Sequence, residues 1–281
     1  MWTDNASKID MLFYKPYAEI VSEIAIETDI DPLTIGILGL WGAGKSTLLN
    51  LIEQRYEGQD GIICVMINAW MFESYEDAKS AIMEALLREL EERIPAEETK
   101  KKFRTLLKKI DYFKLGTKVV SSAAPVVASI ASGTPLPLLF SVPQNAKEIG
   151  SVIKNISDSV QNIKDEYIKD DSTTADSVVN NVRKFKDEFQ EAINTDKIKR
   201  VVVLIDDLDR CQPDRIIETL EVIKLFLSVN KTTFIIAADE NVIQYAIKKK
   251  YPEVDNFDVE LDQEYIEKMI QLPVHIPELS S

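Results

Sequence analysis

The 281-residue sequence predicts an α/β fold, a parallel β-sheet with helices on both faces and a helical insertion set into it. Three observations predict it. Gly39-Leu40-Trp41-Gly42-Ala43-Gly44-Lys45-Ser46 fits G-x-x-x-x-G-K-[ST] and stands between an apolar run and a helical one. Further continuous apolar runs alternate with helical segments, as a sheet covered on both sides requires. One of those runs, residues 201–205, ends in the acids Asp206, Asp207 and Asp209.

The elements follow in chain order. Residues 8–30 carry Ile9, Leu12, Phe13, Tyr17, Ile20 and Ile24 at helical spacing, with Pro16 as a point of interruption or restart. Residues 32–38 form a buried strand entering the glycine loop, and residues 46–53 the helix leaving it. Residues 57–61 make a turn. Residues 62–67 are a second strand, ending in Asn68-Ala69-Trp70, and residues 78–94 an amphipathic helix stopped near Pro95. Residues 201–205, 233–238 and 272–276 supply the remaining strands.

The span from Trp70 to Val201 is far too long for one crossover, so it holds an insertion. Residues 97–118 read as a charged helix with Phe103, Leu106, Leu107 and Ile110 on one face. Residues 119–146 contain no charged side chain. Residues 147–169 space Ile149, Ile153, Ile156, Val160, Ile163 and Tyr167 by fours and threes, a short coiled-coil seam. Residues 177–193 put Val178, Val182, Phe185 and Phe189 on one stripe. Packing within a helical bundle explains both stripes; an oligomer interface is the second reading. The chain thus divides into residues 1–95 with the glycine loop, a helical insertion over 96–195, and residues 196–281 with the acidic strand end.

The chemistry is that of a phosphate site. Glycines let the backbone turn sharply and offer its N–H groups to a β-phosphate with no Cβ in the way. The helix N-terminus behind them adds partial positive charge. Lys45 would reach the β- and γ-phosphates, and the Ser46 hydroxyl would ligate magnesium. The nucleotide-binding set is Gly39, Trp41, Gly42, Ala43, Gly44, Lys45, Ser46 and Thr47. Asp206, at the strand tip, is the Walker B acid that holds magnesium directly or through water. Asp207 is the candidate general base for an attacking water, the role Glu often fills in additional-strand NTPases. Asp239, after the fourth strand, fits either a γ-phosphate sensor or a helix N-cap. Arg210 and Arg215 fit either phosphate sensing, in their own or a neighbouring subunit, or ion pairs to the acids. Asn230-Lys231-Thr232-Thr233 begins like the guanine motif N-K-x-D, but Thr233 cannot make the bidentate contact of an Asp, so adenine is favoured.

Composition narrows the rest. A net charge of −14 argues against broad nucleic-acid binding, which needs clustered Lys and Arg. Cys64 and Cys211 form neither a C-x-x-C nor a disulfide framework. The first ten residues lack the basic and apolar regions of a secretory signal, which makes the cytoplasm the expected compartment. His275 is the sole histidine and reads as partly buried and structural. The uncharged stretch over 119–142 could reach across a bilayer, but Pro125, Pro135 and Pro137 interrupt it, and lipid does not satisfy the backbone groups they free. A soluble chain is therefore expected, with association at the inner membrane face as the alternative.

Together these residues resemble the KAP family of P-loop NTPases over most of the chain. The resemblance rests on residues 33–46, on Asn68-Ala69-Trp70-Met71-Phe72-Glu73, on Asp206-Asp207-Leu208-Asp209-Arg210-Cys211, and on residues 265–273. Trp41 inside the loop and the Asn-Ala-Trp after the second strand are the specific marks. Leu40 stands where the family often has proline. The resemblance implies an additional-strand NTPase related to the STAND class, with an insertion that in the family often carries transmembrane segments. It implies an ATPase switch in membrane-associated signalling or in defence against phage; the alternative is a nucleotide-binding regulatory module with negligible hydrolysis. Expected partners are ATP with Mg2+, and either a second copy of the chain or another protein. Related proteins continue into a helical region that covers the nucleotide, whereas this sequence ends at Ser281, so slow, assembly-dependent turnover is expected.

Overall fold

The structure is a computed structural model describing residues 9–120, 175–226, 229–251 and 261–277, apart from 28, 30 and 76. Five strands, β1 (Leu33–Leu38), β2 (Ile62–Asn68), β3 (Arg200–Asp206), β4 (Thr232–Ala238) and β5 (Leu272–His275), form one sheet in the order β2-β3-β4-β1-β5. Every pairing is parallel. The three inner strands are apolar runs buried almost throughout, because helices cover both faces. Edge strand β2 instead alternates buried and half-buried positions. Strand β4 lies between β1 and β3, so the glycine loop and the acidic strand end leave non-adjacent strands on the same side of the sheet.

Helices α1 (Lys15–Ala25) and α2 (Lys45–Tyr56) cover one face, burying Ala18, Val21, Leu48 and Ile52 against β1 and β4. The opposite face carries α3 (Ala78–Arg93), α4 (Glu97–Val120), α5 (Ala175–Ile193), α6 (Pro213–Phe226), α7 (Glu240–Lys250) and α8 (Leu261–Met269). Helix α1 is shorter than the spacing over 8–30 suggests. Pro16 sits in its first turn, where the missing N–H and fixed φ are favourable, so the proline starts the helix. Asp10 caps the preceding turn by accepting from the backbone N–H groups of Leu12, Tyr14 and Lys15.

Helices α4 and α5, from the stretch that the sequence reads as an insertion, join the main core. Phe103, Leu106 and Ile110 of α4 and Phe185 and Phe189 of α5 are buried within it. The Phe103 and Phe189 rings stand 5.7 Å apart, and Phe189 lies 4.9 Å from Phe226 of α6. Ion pairs Lys102–Glu191 and Lys109–Glu188 lace α4 to α5. For these positions the stripe is intramolecular packing. The side chains of Val178 and Val182, the seam over 147–169 and the uncharged run beyond Val120 lie outside the described residues. Among the described residues, no helix is long and apolar enough to cross a membrane.

One polar tie runs through the core. Arg200, at the start of β3, is 1% exposed. Its guanidinium meets Asp31 at 2.6 Å and donates to the Glu27 carbonyl. The same Asp31 carboxylate accepts from the Lys231 backbone N–H ahead of β4. The segment between α1 and β1 is thereby fastened to two inner strands.

Candidate nucleotide-binding site

The loop between β1 and α2 has the backbone its glycines imply. Gly42 and Gly44 have φ of 80° and 82°, in the left-handed region. At Gly44 space is short as well: a Cβ would meet Leu12 Cδ1 at 2.5 Å and Tyr14 Cε2 at 2.9 Å. At Gly42 a Cβ would meet nothing within 4 Å, so this side of the turn is open for a ligand. The Tyr14 hydroxyl donates to the Ala43 carbonyl (2.5 Å), pinning the loop from outside. Helix α2 begins at Lys45 with no acid in its first turn, which leaves its positive end aimed into the loop. Thr47 is buried beside it.

Lys45 Nζ donates to the carbonyls of Gly39 (2.9 Å) and Leu40 (3.0 Å) and pairs with Asp209 at 2.9 Å. The two charged side chains are only 10% and 11% exposed. Sequence reasoning passed over Asp209. Its signal was its place in the short 3-10 turn Leu208–Arg210, which points it back toward the loop; Asp209 also accepts from the backbone N–H of Asp239 (3.1 Å).

Ser46 Oγ donates to Asp206 Oδ1 at 2.9 Å, so the two proposed magnesium ligands stand side by side. Burial pushes the Asp206 carboxyl above its ordinary range, and Asp207 and Asp209 add to the push; the Ser46 hydroxyl and the Asp207 N–H oppose it. A divalent cation would offset that desolvation. Hard oxygen donors from a hydroxyl and a carboxylate suit magnesium, which takes few protein ligands and completes its shell with phosphate and water. Among the described residues, no group of three or more His, Cys, Asp or Glu side chains forms a metal cage. Because the folded state disfavours the charged form, Asp206→Asn is expected to raise the melting temperature of the nucleotide-free protein by a few degrees at neutral pH. The gain should vanish as pH falls below the unfolded carboxyl's value of 3.8, where both states are protonated. Calorimetric scans across pH measure this directly.

Asp207 has φ 55°, unusual for a residue with a side chain. Its Oδ2 accepts from Asn68 Nδ2 (2.8 Å), and its Oδ1 forms an ion pair with Arg210 Nε (2.6 Å). Strand pairing sets Asn68 opposite Asp206, so this contact follows from the β2–β3 register. Asp239 Oδ1 accepts from the Asn241 N–H at 3.0 Å, the geometry of an N-cap of α7. Arg210 thus joins the acids. Arg215 does not: it pairs with Glu218 and donates to the Glu73 carbonyl. Trp41 and Trp70 are 70% and 52% exposed at the rim. His275 is exposed rather than partly buried, because β5 is an edge strand whose alternate residues face outward. Thr233 is buried at the opposite end of the sheet from the glycine loop, donating to the Ala25 carbonyl, which removes Asn230-Lys231 as a base-recognition element.

Comparison with known proteins agrees with this geometry. The chain is 25% identical over 247 residues to the phage T7 exclusion protein of Escherichia coli, covering 86% of this chain and 30% of that protein. It is 29% identical over 181 residues to the uncharacterized protein MJ0182 of Methanocaldococcus jannaschii, covering 59% of this chain and 85% of that protein. The chain therefore spans under a third of the length of the Escherichia coli relative. Residues 12–281 match the KAP family P-loop domain, and the chain belongs to that family of P-loop NTPases.

Proposed function

We propose that the domain binds ATP with magnesium and hydrolyses it slowly to drive a conformational or assembly switch. The observation that carries this reading is the convergence of Ser46 on Asp206 beneath the glycine loop, with Lys45 and Asp207 alongside. Magnesium held there would neutralise charge on the β- and γ-phosphates. Lys45 would exchange Asp209 and two loop carbonyls for phosphate oxygens. Asp207 would accept the proton of the attacking water while Asn68 steadies its carboxylate. Asp239 would act from the tip of β4, where Asp209 holds its N–H. Both arginines after the Walker B strand are engaged within their own chain, which supports turnover below the ~1–100 s⁻¹ of phosphoryl-transfer kinases. The engagement of both Asp207 oxygens also favours the second reading, a nucleotide-loaded regulatory module with negligible hydrolysis. The named relative suggests phage exclusion as the setting, and two free thiols suit a cytoplasmic one.

The test is Lys45→Ala. It removes a charge-assisted phosphate contact of roughly 1.5–3 kcal/mol, so magnesium-ATP affinity should fall about tenfold or more. Unchanged affinity in a calorimetric titration overturns the assignment.

A further inference from the structure

Arg210 connects features that the nucleotide chemistry alone does not join. Its Nε pairs with Asp207 at 2.6 Å. Its guanidinium carbon lies 5.3 Å from the centre of the Trp41 ring and 6.0 Å from that of Trp70. A guanidinium over an indole is a favourable cation–π arrangement, and contact with two rings holds it in place more firmly than contact with one. The two rings come from different parts of the site. Trp41 belongs to the phosphate loop, and Trp70 follows Asn68 at the end of β2. Asn68 in turn donates to the other oxygen of Asp207. The Asn68 side-chain oxygen Oδ1 is buried and has no hydrogen-bond partner. Half of that amide's bonding capacity is unmet, so its placement serves Asp207 rather than its own satisfaction. Asp207 sits in a left-handed conformation, which aspartate adopts more readily than most residues with a side chain.

We propose that Arg210 is a positioning residue for Asp207, seated by Trp41 and Trp70, so that the placement of the acid depends on the conformation of the phosphate loop. The proposal rests on Asp207 acting in hydrolysis, and it adds how that acid is placed and what moves it. Because Trp41 belongs to the loop, a change in loop conformation that moves its ring would shift the guanidinium and, through the ion pair, the carboxylate. Both exposed rings stand at the mouth of the site, where such a displacement meets no core packing.

The experiment uses the full chain carrying Trp2→Phe, which leaves Trp41 and Trp70 as its only tryptophans. Without nucleotide, Asp207→Asn should change the tryptophan emission, because the loss of charge loosens the arginine against the two rings. Arg210→Ala should give a similar spectrum. With magnesium and a non-hydrolysable ATP analogue, Arg210→Ala should keep its Kd within about twofold of wild type while kcat falls about tenfold. In an Asp207→Asn background, Arg210→Ala should change the single-turnover rate by less than about twofold, since both act through one group. Identical emission of wild type and Asp207→Asn overturns the proposal. So does a tenfold loss of analogue affinity in Arg210→Ala, which would make the arginine a phosphate ligand. Failure of the wild type to bind the analogue by calorimetry instead overturns the reading of the site, and the nucleotide-free spectra stand apart from that result.

Discussion

Asp207→Asn is expected to keep magnesium-ATP bound and to lower turnover by about 10²–10⁴-fold. The substitution conserves shape and leaves an amide oxygen to accept from Asn68, so the strand end should hold its conformation. It removes the ability to take a proton from water, and it replaces the charged partner of Arg210 with a neutral one. Ser46 and Asp206 are untouched, which is why binding should persist. Calorimetry with ATP beside a phosphate-release assay separates the two effects. A variant hydrolysing at the wild-type rate would remove Asp207 from the reaction.

Asp31→Ala should be strongly destabilising, at about 3 kcal/mol of stability. The ion pair with Arg200 is worth little in itself, since taking two charges from water offsets their attraction. Removing one partner is different, because it strands a guanidinium in the core. The same carboxylate satisfies the Lys231 N–H, so a backbone donor is orphaned too. Arg200→Met with Asp31→Ala should recover much of the loss, as a buried pair exchanged for apolar volume often does. Denaturant titrations of the three variants test both statements. If Asp31→Ala alone is as stable as wild type, the tie is not structural.

The sheet was legible in the sequence because its inner strands are unbroken apolar runs between glycine or charged boundaries. The loop was legible because Gly42 and Gly44 stand where the backbone needs a positive φ, and no other pair in the chain has that spacing before Lys-Ser. The supporting contacts were not. Asn68 and Asp207 are 139 residues apart, and only the β2–β3 register brings them together. Asp209 looked like one more acid in an acidic turn until the fold set Lys45 opposite it. Tyr14 lies outside the apolar stripe read over residues 8–30, and its hydroxyl is a clamp on the glycine loop. Pattern reasoning finds groups that are local to a motif; it does not find groups delivered by register or by a neighbouring element.

Helices α4 and α5 leave and rejoin the domain side by side, fastened by an edge-to-face pair of phenylalanines and two lysine–glutamate pairs. Chain added between two points already held together changes closure entropy only slowly, by about 0.6 kcal/mol for each doubling of a flexible length. The register that sets Asn68 opposite Asp206 would not feel the addition. In evolutionary terms this is a port: a place where the gene can gain, lose or exchange a whole segment while the phosphate chemistry is inherited unchanged. An engineer could use it the same way, splicing a sensor or a binding module between the two helices without redesigning the end of the sheet that carries the glycine loop.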